Sequence, residues 1–401
     1  MSLERAKAAP LEIHLEMYEI REDPKFLDLL IPYAQNTESL RVSNLLTYKD
    51  LAYPLPFKSA PKLRSLSLSD NEVGEWDQSI DPFVELSTHT LGYLSLVGVP
   101  LYPSFLNLRT LTEVDIHNYR CNLHLDTLLD FLEGNRSLTR ATIQIRFIEP
   151  SLRRSRRRAA IENWLQYLRI ACYDAVDGRA LISSIALSNG AELEFNCWRY
   201  YAVHARVDDI LSGISTTHLS NLLSPTSLAY HVHMRKIQLR GPNGTASFSS
   251  DSDSDVPFTE FPRLPLADIR KLHVDTRDWA RIWPPPDSKV FHHLSSFPVL
   301  ETFTIGYDTD MSLLLSPLLS TLSASPSLKT LAFLNCEISE DFMEELVRFA
   351  SDRKNTTSAW LHRILIVHQN GKLPSASSIH KLRCIVEIEV QIAAELLRDL
   401  T

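Results

Sequence analysis

Glycine is scarce in this chain, at 11 of 401 residues, while proline reaches 22. Few glycines and many prolines describe stiff connections between short elements, not flexible linkers. The five cysteines, Cys121, Cys172, Cys197, Cys336 and Cys384, include no CxxC pair. Zinc-ribbon and thioredoxin-like readings therefore fail, and a reducing compartment, cytoplasmic or nuclear, is expected. The opening stretch MSLERAKAAPLEIHLEM lacks the apolar run of a signal peptide. No segment approaches the roughly 18 uninterrupted apolar residues of a membrane span, so no membrane partner is expected. The chain also lacks a phosphate loop, a G-x-S-x-G elbow and an H-E-x-x-H helix. Neither catalysis nor a cofactor is expected from that pattern.

What is present belongs to a folded protein: 44% hydrophobic and 22% charged residues. The net charge of −8, from 41 basic and 49 acidic side chains, argues against a nucleic-acid surface covering the whole molecule. N-x-S/T matches at Asn135, Asn243 and Asn355 read as chance without a secretory signal.

The most informative feature is a recurring L-x-x-L-x-L-x-x-N/C pattern. The cleanest copies are Leu63…Leu66…Leu68…Asn71 and Leu328…Leu331…Phe333…Cys336. Others are Leu91…Leu94…Leu96, Leu111…Val114…Ile116, Leu138…Ala141…Ile143 and Leu165…Leu168…Ile170. Later copies are Met234…Ile237…Leu239, Ile269…Leu272…Val274, Leu300…Phe303…Ile305 and Leu361…Ile364…Ile366, with degenerate ones near Thr37 and Gly190. Starts fall at about 37, 63, 91, 111, 138, 165, 190, 234, 269, 300, 328 and 361. Most spacings lie in or just above the roughly 20–29 residues of a leucine-rich repeat. Within L-x-L the side chains alternate, so two enter the core and their neighbours face out. Each repeat should give one strand, with the ninth position turning the chain away. The expected fold is an α/β irregular leucine-rich-repeat solenoid over 1–401. It should carry a curved, mostly parallel sheet of about 10–12 strands, with helices on the convex side.

Return paths should be helical. Leu125, Leu128, Leu129 and Leu132 follow helical spacing and Gly134 is placed to end the helix. Ser339 caps a second helix, with Phe342, Leu346 and Phe349 on its buried face. Asp23-Pro24 begins a third, lined by Phe26, Leu27, Leu30, Ile31 and Ala34. Residues 182–190 read either as a strand entering an Asn-Gly hairpin or as a helix ending at Gly190. The helix, followed by a strand Ala191–Cys197, preserves the period and is preferred. Residues 241–265 are polar, acidic and rich in Pro and Gly, and read as a disordered insertion. Trp283-Pro284-Pro285-Pro286 reads as a rigid surface turn.

Several phrases together resemble one family. They are Leu3-Glu-Arg-Ala-Lys-Ala-Ala-Pro10-Leu11-Glu-Ile13-His-Leu15, then Leu29-Leu-Ile-Pro32-Tyr-Ala leading to Ser39-Leu40-Arg41-Val42. The third is Ala180-Leu-Ile-Ser-Ser-Ile-Ala-Leu followed by Gly190-Ala-Glu-Leu193-Glu-Phe195-Asn-Cys-Trp198. In order and spacing they are similar to basidiomycete fungal F-box/leucine-rich-repeat proteins over nearly the whole chain. The resemblance implies target recognition in a ubiquitin-ligase adaptor. An F-box is a helical module of about 40–50 residues that usually carries Leu-Pro-x-Glu, and this chain has no such phrase. The expectation is that the chain opens where that module should have ended. A ubiquitin-ligase adaptor would be its partner only through an F-box upstream. The alternative is a free-standing scaffold or regulator unrelated to ubiquitination.

Candidate site residues follow from the repeat. Positions 3, 5 and 7 of each strand should face the open, concave side. They give Tyr93, Glu113, Asp115, His117, Arg140, Tyr167, Arg169, Glu192, Glu194 and Asn196, then Lys236, Gln238, Arg240, Lys271, His273 and Asp275. Aromatic, arginine and mixed charged side chains on a rigid sheet suit a protein target. The run Arg153-Arg154-Ser155-Arg156-Arg157-Arg158 reads as a solvated loop, or alternatively as a basic targeting patch. It has no interleaved aromatics for nucleic acid. His231 and His233 share a strand face, but no third ligand lies near in sequence, and no metal site is expected there or at His292-His293.

Overall fold

The computed structural model describes residues 9–17, 26–45, 60–70, 90–106, 108–118, 123–145, 159–161, 165–172, 175–187, 190–197, 224–231, 236–250, 264, 266–275, 294, 297–306, 315–323, 325–336, 338–355, 360–368 and 374–392. The Asn71, Asp23-Pro24, Arg153–Arg158, His233, His292-His293 and Trp283–Pro286 readings lie outside these residues. The chain divides into two compact units, 1–200 and 201–401.

In the first unit the strands are β1 (Leu11–Glu16), β2 (Thr37–Ser43), β3 (Ser65–Ser69), β4 (Tyr93–Val97), β5 (Glu113–Asn118), β6 (Arg140–Ile145), β7 (Ala159–Ile161), β8 (Tyr167–Cys172), β9 (Ile185–Leu187) and β10 (Ala191–Cys197). Eight of them form a parallel run in the order β1-β2-β3-β4-β5-β6-β8-β10, while β7 and β9 pair separately. Alternation sets the register. Leu66, Leu94, Val114, Ala141, Leu168 and Leu193 stack in one buried row, and Leu68, Leu96, Ile116, Ile143, Ile170 and Phe195 in a second. Burying each large apolar side chain contributes about 1.5–3 kcal/mol. A one-residue slip would turn a whole row to solvent.

Among the described residues, three helices return the chain in this unit: α1 (Phe26–Leu30), α2 (Leu125–Gly134) and α3 (Ala175–Ser184). Leu125, Leu128, Leu129 and Leu132 are buried, as their spacing requires. In α1 and the 3-10 turn Ile31–Asn36, Leu30 and Ala34 are buried, but Ile31 is 54% exposed. The tighter turn rotates Ile31 off the face that helical spacing assigned to it. The helix expected to reach Gly190 stops at Ser184, because Ile185–Leu187 become β9 and pair with β7. Strand β10 begins at Ala191, as expected.

The second unit holds β11 (Ser227–His231), β12 (Lys236–Gly241), β13 (Gly244–Ser250), β14 (Lys271–Asp275), β15 (Thr302–Gly306), β16 (Thr330–Leu334), β17 (Arg363–His368) and β18 (Glu387–Ile392). Their order is β13-β12-β11-β14-β15-β16-β17-β18. From β11 and β14 onward neighbours are parallel, but β12 is antiparallel to both β11 and β13. The copy that starts at Met234 is therefore the returning arm of a hairpin, and Ser227–His231 supplies the strand beside β14. The first part of the segment read as a disordered insertion is likewise ordered. Residues 244–250 form β13, and Ala246 and Phe248 are fully buried. One buried phenylalanine and a full strand of pairing outweigh the polar composition around them. Residues 251–263 and 265 lie outside the described residues.

Among the described residues the helices here are α4 (Leu315–Ser323), α5 (Glu340–Asn355) and α6 (Ala376–Arg383). The Ser339 hydroxyl accepts from Phe342 N at 3.2 Å and caps α5. Phe342 meets Phe333 of β16 edge to face, with centroids 4.9 Å apart, so α5 packs on the inner side of the sheet. The architecture is α/β with mostly parallel, open runs of eight strands in each unit among the described residues. The expected 10–12 strands fall short because β1, β11, β13 and β18 are added.

Strand exits follow a rule one position earlier than the pattern suggested. Asn44, Gly98 and Asn335, all at the eighth position, have φ of 58°, 70° and 54°. Asn and Gly tolerate that left-handed conformation best. The eighth-position amides of Asp70, Gly98 and Asn335 donate to Val97, His117 and Val367 carbonyls of the next repeat. Cys336, at the ninth position, is buried with its Sγ 3.7 Å from the Ile305 carbonyl.

Candidate functional site

The open side of the first unit's sheet gathers the candidate residues into one connected patch. Cross-strand register aligns Tyr93, Glu113, Arg140, Tyr167 and Glu192 in one row, and Asp115, Thr142, Arg169 and Glu194 in the next. Side chains directly opposite each other on such a face interact. Glu113 Oε1 lies 3.8 Å from Arg140 Nε. The Arg140 guanidinium sits over the Tyr167 ring, 5.0 Å from its centroid. The Tyr167 hydroxyl donates to Glu194 Oε2 at 2.7 Å. Glu194 Oε1 in turn accepts from Asn196 Nδ2 at 3.1 Å and lies 3.9 Å from Arg169 Nε. His117 Nε2 and Asp115 Oδ1 are 2.9 Å apart.

Burial pushes the Tyr167 hydroxyl up to about 12, helped by the Glu194 carboxylate that it serves as donor. Burial also raises Tyr93, with Asp115 and Glu113 adding to the effect. Both phenols are held protonated and oriented, which suits hydrogen-bonding contact surfaces more than acid–base chemistry.

Lys236, Gln238 and Arg240 lie on the open side of β12, and Lys271 and His273 on that of β14. Asp275, read as a surface residue, is fully buried. His231 Nδ1 lies 3.0 Å from its Oδ2, which shields the carboxylate. The sequence reading missed His231 as a neighbour of this face because it counted repeats from Met234. The alternation of Leu228 and Tyr230 in Ser227–His231 is the signal that was available. It also missed His14, since β1 lies before the first counted repeat, its cross-strand neighbour Arg41 on β2, and Arg363 and Glu389, which pair across β17 and β18.

A cleft of about 500 Å³ lies at the start of β1 to β3, lined in part by Glu12, Glu38 and Arg64, and none of the candidate residues borders it. No group of three or more His, Cys, Asp or Glu among the described residues could hold a metal ion. No helix among them is long and apolar enough to cross a membrane. Compared with known proteins, the chain matches no family model and no curated protein.

Proposed function

We propose that this chain is a leucine-rich-repeat protein-recognition module, acting in the cytoplasm or nucleus, whose protein target docks on the open side of the sheet. The observation that carries it is the connected patch from Glu113 through Arg140 and Tyr167 to Glu194. Aromatic and arginine side chains held by neighbours on a rigid scaffold are the residue types that dominate protein interfaces. The resemblance to F-box/leucine-rich-repeat proteins makes target recognition in a ubiquitin-ligase adaptor the leading role. The same patch suits a second reading, a free-standing scaffold or regulator unrelated to ubiquitination.

Affinity purification with quantitative mass spectrometry tests both. Partners captured by the wild type should fall by about tenfold or more with E192K/E194K, a change of about 1.4 kcal/mol. Unchanged capture by a variant that melts normally overturns the assignment of the face. The chain by itself should not bind the ubiquitin-ligase adaptor, and direct binding would reverse that expectation.

A further inference from the structure

The hairpin that breaks the parallel run in the second unit builds a surface of different chemistry. Strand β11 is flanked by β12 on one side and β14 on the other, and their registers place three cross-strand rows on the open face. One row is Lys236, His231 and Asp275; the next is Gln238, Ala229 and His273; the third is Arg240, Ser227 and Lys271. Small residues, Ala229 and Ser227, lie at the centre of the last two rows. Lys236, Arg240 and Lys271 stand around them. The one acid in the three rows, Asp275, is buried and held by His231 at 3.0 Å. In a chain of net charge −8, this is a local reversal of sign.

We propose that this face docks an extended acidic segment of a partner protein, rich in Asp and Glu. The inference rests on the reading of the open face as a binding face and names the partner chemistry for its second unit. Spacing favours a segment over a single anion. Lys236 and Arg240 are four residues apart on one strand, about 13 Å, and Lys271 lies two strands from Arg240, about 10 Å. Cations spread in this way over three strands match the several carboxylates of an extended chain better than one phosphate, since a carboxylate at every second residue recurs at about 7 Å and two such intervals span Lys236 to Arg240. The rows hold Ser, Ala, Gln and His but no Phe, Tyr or Trp on the open side, so stacked nucleic-acid bases find no platform.

The test uses the full chain and a fluorescein-labelled peptide of alternating Glu and Ser, read by fluorescence anisotropy. Its controls are the same peptide with Gln for Glu, a neutral peptide with one phosphoserine, and single-stranded oligothymidine. The Glu peptide should bind about tenfold or more tighter than each control, and added salt should weaken it. K236E/K271E should abolish that preference, and K236Q/K271Q should reduce it. Equal binding of the Gln peptide, equal or tighter binding of the phosphoserine peptide or the oligonucleotide, or indifference to both lysine pairs overturns the proposal. The proposed function fails separately, if E192K/E194K leaves partner capture intact.

Discussion

Arg140 lies over the ring of Tyr167 on the adjacent strand, its guanidinium carbon 5.0 Å from the ring centroid. The contact joins Glu113 on one side to Glu194 on the other, because Arg140 pairs with the first and the Tyr167 hydroxyl donates to the second. A cation above the ring and an acceptor at its hydroxyl fix the plane of one aromatic side chain. That plane is what a partner would meet.

Tyr167→Phe should leave the fold intact and change its alkaline stability. The folded Tyr167 hydroxyl titrates at about 12, against 10.0 for an ordinary tyrosine. Its pKa is raised on folding, so its contribution is fully present below pH 10 and is lost as pH rises toward 12. Urea unfolding at a series of pH values in that window should show a shallower decline for Y167F than for the wild type. Parallel curves would mean that folding does not raise the Tyr167 pKa.

Gly178→Ala should destabilise the protein, although alanine is the better helix former. A Cβ at Gly178 in α3 would lie 2.0 Å from Phe195 Cζ and 2.9 Å from Cys172 Sγ. The glycine is the point where the helix crosses the inner side of β8 and β10. Overpacking of this kind costs about 1–3 kcal/mol. A thermal melt of G178A should fall by several degrees; an unchanged or raised melting temperature would show that Phe195 can swing clear.

The strand positions were legible because period-two alternation inside a repeat of near-constant length leaves one register that buries Leu66 with Leu94 and Leu68 with Leu96. The open-face residues Glu113, Arg140, Tyr167, Arg169, Glu192 and Glu194 followed from the same arithmetic, one position over. The hairpin was not legible. Met234…Ile237…Leu239 carries the same alternation whether its strand runs with its neighbours or against them, and side-chain period alone does not encode direction. Nor was the buried Asp275 legible, since its burial depends on His231, 44 residues away. The strand Gly244–Ser250 was hidden by composition: only Phe248 and Ala246 mark its inner side, within a run of Ser, Asp, Gly and Pro.

Asn135→Ala should cost about 2–4 kcal/mol, the sum expected when buried donors and acceptors lose a shared partner. The sequence offered Asn135 only as a chance N-x-S match, yet its side chain is fully buried. Its Oδ1 accepts from Leu108 N at 2.7 Å, and its Nδ2 donates to the carbonyls of Phe131 at 2.6 Å and Phe105 at 3.2 Å. One amide thus ties the end of α2 to the loop of the preceding repeat. Asn135→Asp should be worse, since a carboxylate there would face two carbonyl oxygens in place of donating to them. Chemical denaturation of both variants checks the order; an aspartate as stable as the wild type would refute it.

Arg353→Met should destabilise the second unit by about 3 kcal/mol, and Arg353→Lys should recover only part of the loss. Arg353 near the end of α5 is 3% exposed, and burial alone pulls its guanidinium below the ordinary arginine range. Its Nη1 donates to the Leu322 carbonyl at 3.0 Å, and its Nη2 to the Ser325 and Leu328 carbonyls at 3.0 and 3.2 Å. The cation therefore caps the C-terminal end of α4, where the helix dipole is negative, and holds the turn into β16. The guanidinium carbon also lies 5.7 Å from the Phe349 ring centroid on the same helix. A fork with fixed geometry reaches three diverging carbonyls, whereas a single ammonium reaches one or two. Hydrogen exchange separates the readings. In R353M the amides of Leu315–Ser323 and of Thr330–Leu334 should lose protection together, because the capped helix end and the strand share one anchor. Loss confined to α5 would show that Arg353 serves its own helix and not the preceding repeat.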